Sequence, residues 1–385
     1  MGERSIYLDY AAATPCDPRV FARMEPYFSQ QFYNPSSAYR AATTVRSDYE
    51  TARQQLAMAL GVRPTEIILT SGSTESINLA LRGIVAHYGG RIATSRIEHA
   101  AVVRAAEAGE VDWIPVDERG VVTPEAVQQT ITSTTTIVSV GMINNELGTV
   151  QSLRDIAAVI ETERQRRLSM GEVLPIWLHT DASQAPGMLD ISVSRLGVDM
   201  MTLGSAKCYG PKGVGLLWLR TGMQVTPLMY GGGQERGVRG GTENVAGIVG
   251  FAEALMLATA GRKAESHRLT SLRDRLQRAL SERIADIVIN GHPKRRAPHI
   301  LHFSVPGLDG ERVVYALDQR GVQVATGSAC AANRGTRSHV LTAIAMSDAL
   351  ADGSVRCSFG RATTEADIDT AATIISEVIA QERGR

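Results

Sequence analysis

Lysine is nearly absent from this chain of 385 residues: only Lys207, Lys212, Lys263 and Lys294 stand beside thirty-six arginines. Chemistry that needs a titratable amine rather than a permanently charged guanidinium must therefore use one of four positions. Cysteine is also sparse. Cys16, Cys208, Cys330 and Cys357 form no CxxC pair and no metal-finger spacing, which excludes a disulfide framework or a zinc finger and points to free thiols in a reducing, cytoplasmic setting. Charge of neither sign is in excess, with 40 basic and 40 acidic residues. No global field then draws the chain to nucleic acid or an anionic membrane, so a nucleic-acid link would run through a partner. A run of about eighteen apolar residues is missing, and the opening MGERSIYLDY has no apolar signal core. The expectation is a protein with neither membrane span nor export signal.

What the chain does have is alternation. Short β-branched or apolar runs at Ile67 to Thr70, Thr136 to Val140, Ile176 to Thr180 and Met200 to Leu203 are separated by helical patterns, as in a mostly parallel sheet flanked by helices. The length exceeds that of one growing core, so a large and a smaller domain are expected. From about Ala264 the pattern changes to a charged helical stretch, Ser266 to Ile284. Strand candidates follow at Ile287 to Asn290, Ile300 to Ser304 and Val355 to Phe359, with a helix near Glu311 to Arg320. This predicts a smaller α+β domain, with residues 15–260 in the large domain and 1–14 plus 261–385 in the small one.

Ligands of open α/β sheets lie beyond the carboxyl ends of the strands, and several residues there carry chemistry. Leu69-Thr70-Ser71-Gly72-Ser73-Thr74 runs from strand through a small-residue turn into a helix, and either cradles a phosphate or is a capped turn. Asp181 ends a strand, where a carboxylate could pair with a protonated pyridine nitrogen or cap a helix. Lys207 follows the run Met200 to Leu203 and suits a Schiff base better than Lys212, which lies between Pro211 and Gly213. The glycine-dense segment 231–244 suits close backbone approach to a phosphate or a neighbouring subunit, or is a surface loop. Cys330 sits in the polar stretch Thr326 to Gly335, the setting of a reactive thiol, whereas Cys16, Cys208 and Cys357 have structural contexts.

These pieces in this order resemble the NifS/IscS-type cysteine desulfurases, enzymes of pyridoxal 5'-phosphate fold type I. The resemblance runs from Tyr7-Leu8-Asp9-Tyr10-Ala11-Ala12-Ala13-Thr14-Pro15 through Asn34-Pro35-Ser36-Ser37 to Arg356-Cys357-Ser358-Phe359-Gly360-Arg361. It implies an α/β fold with a mainly parallel seven-stranded sheet, a homodimer, and pyridoxal 5'-phosphate as cofactor. It also implies that Ser73, Thr74 and Ser205 bind the cofactor phosphate, with Thr242 reaching the phosphate of the partner subunit. His99 would stack on the ring and shuttle protons, Asn145 and Gln184 would bond the phenolic oxygen, Asp181 would pair with the ring nitrogen, and Lys207 would form the Schiff base. Arg356 would clamp the carboxylate of L-cysteine with Asn34 nearby. Cys330 would take the sulfur as a persulfide, release L-alanine, and pass the sulfur to an acceptor protein.

The chain departs from that pattern in places. Gly204-Ser205-Ala206-Lys207 replaces a Ser-Gly-His-Lys or Ser-Ala-His-Lys signature, so one phosphate-binding imidazole is missing, and Tyr39 stands where a histidine is common. Alternatives are a selenocysteine lyase, another class-V enzyme, or a weakly active scaffold that binds cofactor and acceptor. Iron–sulfur assembly, tRNA thiolation and DNA phosphorothioation all draw on such enzymes, and the sequence does not choose among them.

Overall fold

The apolar runs become strands in a computed structural model that describes residues 5–327 and 337–384. Seven strands form one sheet in the order Ile67–Thr70, Gly215–Leu219, Met200–Gly204, Trp177–Asp181, Thr135–Ser139, Arg91–Ser95 and Val111–Ile114. Only Gly215–Leu219 runs antiparallel to its neighbours. Helices cover both faces, so the strands Thr135–Ser139, Met200–Gly204 and Gly215–Leu219 are buried throughout, and the polar side chains among them, such as Ser139 and Thr202, are hydrogen-bonded to His179. Because the parallel strands point one way, the turns after Thr70, Ser95, Ser139, Asp181 and Gly204 all open at one end of the sheet.

A second sheet joins Val288–Ile289, Ile300–Ser304 and Ser354–Ser358, all antiparallel. The N-terminal strand Ile6–Tyr7 pairs with Val322–Gln323. Its neighbour Leu8 is buried with Phe303, Phe359 and the apolar face of the C-terminal helix Glu365–Arg383, so the chain start shares a core with the last third of the sequence.

The charged stretch Ser266 to Ile284 is not a separate helix. It continues a 39-residue helix, Val245–Arg283, that runs straight through the expected boundary at 260/261. Val245 to Ala258 pack into the core of the large sheet and Leu269 to Leu280 into that of the smaller one. Gly261 costs helix propensity without breaking the helix, because the residues on each side are anchored. By length and composition this helix could cross a membrane, but 61% of its most apolar window is buried inside the protein.

Ile67–Thr70 is an edge strand, and unpaired backbone groups on a sheet edge need partners. Here side chains supply them: Glu235 accepts from Leu69 N at 2.8 Å, and Arg53 donates to the carbonyl of Ile67 at 2.9 Å. Arg53 and Glu235 are themselves bound at 2.6 and 2.8 Å, and the Tyr49 hydroxyl donates to Glu235 at 2.7 Å. Burial opposes the charge on Glu235, but hydrogen bonding and attraction from Arg53 prevail and hold its carboxyl below the usual range. Both Glu235 and Arg236 adopt left-handed backbone, a strained conformation that this network over-determines. Replacing Glu235 with alanine strips the buried guanidinium of its buried carboxylate, leaving it only Glu50 and the Ile67 carbonyl, and leaves a strand N–H unpaired, which should cost about 3 to 5 kcal/mol. Urea unfolding of Glu235→Ala beside the parent checks this; a loss below about 1 kcal/mol, the worth of a surface pair, would refute it.

Candidate functional site

One cavity of about 210 Å³ opens where the strand ends converge, and its lining comes from five of the turns named above plus the chain start and the small sheet. Of the residues singled out in the sequence, Ser73, His99, Asn145, Asp181, Gln184, Lys207 and Arg356 line it.

Asp181 closes the strand Trp177–Asp181, and its Oδ1 accepts from the backbone N and the hydroxyl of Ser183 at 2.9 and 2.6 Å. The Ser183 hydroxyl also lies 2.9 Å from that of Ser73. Ser73 opens the 16-residue helix Ser73–Tyr88, whose N-cap is Gly72, a residue with no side chain to satisfy the first-turn N–H groups. An uncapped helix start beside two hydroxyls is suited to an anion.

Ser205 does not share this corner. Strand residues alternate in direction, and it is Gly204 that faces Ser73: a Cβ on Gly204 would fall 2.2 Å from the Ser73 hydroxyl. Ser205 turns the opposite way toward Gly210, and its buried hydroxyl has no hydrogen-bond partner. The serine expected to reach the phosphate is thus outside the cavity lining, and glycine at 204 makes room for Ser73. Three other residues also lie outside that lining. Thr74, in the first turn of its helix, is exposed, as are Thr242 and Asn34, whose side chain accepts from Ser36 N. Cys330 lies outside the described residues. The residues that flank its segment, Gly327 and Ser338, both meet Glu146: the Ser338 hydroxyl donates to its carboxylate at 2.5 Å, and a Cβ on Gly327 would stand 3.0 Å from it.

Lys207 ends a single turn after the strand Met200–Gly204, and its Nζ donates to the carbonyls of Ala11, at 3.0 Å, and Ala12. Gln184 Nε2 donates to the same Ala11 carbonyl at 2.9 Å. Ala11 and Ala12 belong to the N-terminal motif, but their side chains do not disclose this role, because they act through backbone carbonyls. Arg356, on the strand Ser354–Ser358, is only 2% exposed. Its Nη2 binds Asp9 at 2.6 Å and its Nη1 donates to the carbonyl of Asn145 at 2.9 Å, which leaves its buried Nε unpaired.

His99 caps the helix Ala100–Glu107 by accepting from Ala101 N on Nδ1 at 3.1 Å. The proton of the neutral ring is therefore on Nε2. Its ring opens on the cavity yet lies deep among protein atoms, and that burial lowers its pKa against the pull of Asp181. Glu98 was missed by the sequence reading, which took Glu98-His99-Ala100 only for its histidine. It lines the same cavity, 6% exposed.

These groups fit pyridoxal 5'-phosphate: an amine for its aldehyde, a carboxylate for its ring nitrogen, an imidazole for its face, an amide for its ring oxygen and an uncapped helix start for its phosphate. Arg356 adds a guanidinium to the same lining.

Burial pushes the Glu98 carboxyl up to about 8, even though Ser95 and Gly141 donate to it. The folded protein then holds a proton that the unfolded chain gives up near 4.5. The resulting stabilisation is full below the unfolded value and is lost as pH rises through about 8. Glu98→Gln cannot ionise, so between about pH 5 and about pH 9 its unfolding free energy should fall less than that of the parent. Parallel urea titrations across that range test it, and equal slopes would mean that native Glu98 is already charged.

The class-V aminotransferase family matches residues 6–370. Over 389 residues the chain is 38% identical to a cysteine desulfurase IscS of Dictyoglomus turgidum, covering 99% of this chain and 96% of that protein. A solved NifS-like protein superposes with a TM-score of 0.89 at 32% identity, covering 98% of this chain and 100% of that one. SspA in complex with cysteine superposes with a TM-score of 0.77 at 33% identity, over 92% and 99% of the two chains. Similarity that spans whole chains, over a cavity whose parts come from every region of the sequence, makes this chain a member of the class-V aminotransferase family and, within it, of the cysteine desulfurases.

Proposed function

We propose that the chain takes sulfur from L-cysteine onto Cys330 and releases L-alanine, with pyridoxal 5'-phosphate held in the cavity at the strand ends. The observation that carries this reading is the convergence of Lys207, Asp181 and Arg356 on one cavity from three separate parts of the chain. Bound there, the cofactor supplies an electron sink that acidifies the substrate Cα–H. Lys207 supplies the amine that holds it, Asp181 keeps the ring nitrogen protonated, and Arg356 binds the substrate carboxylate through a planar fork. His99, with its proton on Nε2, lies where it can pass a proton to the substrate, and only after doing so can that nitrogen take one back.

Sulfur capture belongs to a thiolate. As the Cys330 sulfur attacks that of the substrate, an S–S bond forms and the substrate Cβ–S bond breaks. The electron pair stays with carbon, which takes up a proton on the way to alanine, so no outside oxidant is required. The described cysteines are poor alternatives: burial pushes the Cys208 and Cys357 thiols up to about 12 and raises that of Cys16. Their free state supports a reducing, cytoplasmic setting.

A homodimer and a protein acceptor for the sulfur belong to the same proposal. Thr242 is exposed and outside the cavity lining of its own chain, which suits a role at a partner's cofactor phosphate. Leu228, Met229 and Tyr230, beside the glycine-rich segment, are exposed apolar residues that a second copy would cover.

Incubation with L-cysteine should yield L-alanine and, with a reductant, sulfide in equal amounts; selenocysteine turnover without cysteine turnover would favour the lyase reading. Lys207→Ala should lose both borohydride-reducible cofactor attachment and turnover, and retention of either would sink its assignment. Cys330→Ala should bind cofactor and L-cysteine with their absorbance changes intact but carry no persulfide in mass spectra. A persulfide on another cysteine in the parent protein would identify a different nucleophile.

A further inference from the structure

His299 precedes the strand Ile300–Ser304 and is 4% exposed. Its Nε2 lies 3.2 Å from Gln184 Oε1, while its buried Nδ1 has no hydrogen-bond partner. The direction of that contact follows from a carbonyl at the other end of the amide. The Ala11 oxygen can only accept, so the Gln184 group 2.9 Å from it is the nitrogen. Oε1 is then the atom facing His299, and His299 must donate.

We propose that His299 is a positioning residue of the cofactor site: by donating from Nε2 to Gln184 Oε1 it locks the amide so that nitrogen rather than oxygen serves the cavity. This rests on the assignment of Gln184 to the ring oxygen of the cofactor. Burial, with Arg356 and Arg273 nearby, pushes the His299 pKa down to about 3, so the ring is neutral at working pH with its one proton on the donating nitrogen. One hydrogen of Gln184 Nε2 is spent on Ala11; the other is available to an anionic oxygen in the cavity. A flipped amide would set Oε1 against the Ala11 carbonyl and the ring oxygen together, two acceptors facing an acceptor. The same Ala11 carbonyl receives Lys207 Nζ, so His299, Gln184, Ala11 and Lys207 form one hydrogen-bonded line from the small sheet to the reactive amine.

The test uses holoenzyme and the pH midpoint of the visible absorbance of the bound cofactor. A ring oxygen deprived of a donor keeps more negative charge and holds the neighbouring proton more tightly. His299→Leu should therefore raise the midpoint by about half a unit to one unit, a several-fold change in the protonation equilibrium. His299→Gln, whose amide can still donate, should restore it, which a merely structural role would not produce. Gln184→Leu separates the two layers of the argument. If it leaves the midpoint unmoved, the assignment of Gln184 has failed and the proposal with it. If it raises the midpoint while His299→Leu does not, Gln184 serves the cofactor but His299 does not position it. The 15N spectrum of histidine-labelled holoenzyme should show His299 as the Nε2–H tautomer at neutral pH; an Nδ1–H tautomer would overturn the proposal directly.

Discussion

The guanidinium of Arg356 is the joint on which the site depends. It stands on the small sheet, is bound by Asp9 from the chain start, and donates to the carbonyl of Asn145 in a turn of the large sheet. A buried cation without partners would be costly, so these contacts hold together three segments that the sequence keeps far apart. The same N-terminal segment offers the Ala11 and Ala12 carbonyls to Lys207. One crossing of the chain therefore sets the position of both the Arg356 guanidinium and the Lys207 amine.

Around this joint the interior is kept short of free charge. His179 ties the central strands through the Ser139 and Thr202 hydroxyls, and burial lowers its pKa to about 4. His302 is likewise pushed down to about 3, by burial and then by Arg356. With Glu98 held protonated near neutrality by burial, the acidic and basic side chains that face the cavity beside the neutral His99 are few: Asp181, Lys207 and Arg356. In a low-dielectric cavity each acts on a bound molecule more strongly than it would in water.

The departures from the family pattern have a steric logic. A serine at position 204 would drive its Cβ into the Ser73 hydroxyl, so glycine there and the close Ser73–Ser183 pair belong together. The glycine-rich segment has a similar constraint. A Cβ on Gly240 would meet the backbone of Gly231 at 2.7 Å, so the segment can double back on itself only without side chains at this crossing.

Much of this was legible in the sequence. The apolar runs marked four of the strands of the large sheet to within a residue or two, because strands covered on both faces are mostly apolar, whereas Arg91–Ser95, Val111–Ile114 and Gly215–Leu219 were not read from the pattern. The scarcity of lysine singled out Lys207, and its place after a strand located the site at the sheet's carboxyl end. Ser205 lies outside the cavity lining because it opens the single turn after the strand with its hydroxyl toward Gly210, a direction that motif similarity does not resolve. The change of composition near residue 261 falls inside a continuous helix, at the stretch where that helix passes from one core to the other. Glu98, Ser183, His299 and the Ala11 and Ala12 carbonyls carried no readable signal of their own. Their roles rest on which atoms lie within hydrogen-bond reach and on how far burial shifts a proton, and those are properties of packed neighbours. The sequence by itself determined which chemical groups are available and at which end of the sheet they gather; only the tertiary structure decided their directions, partners and protonation, because those depend on contacts between segments hundreds of residues apart.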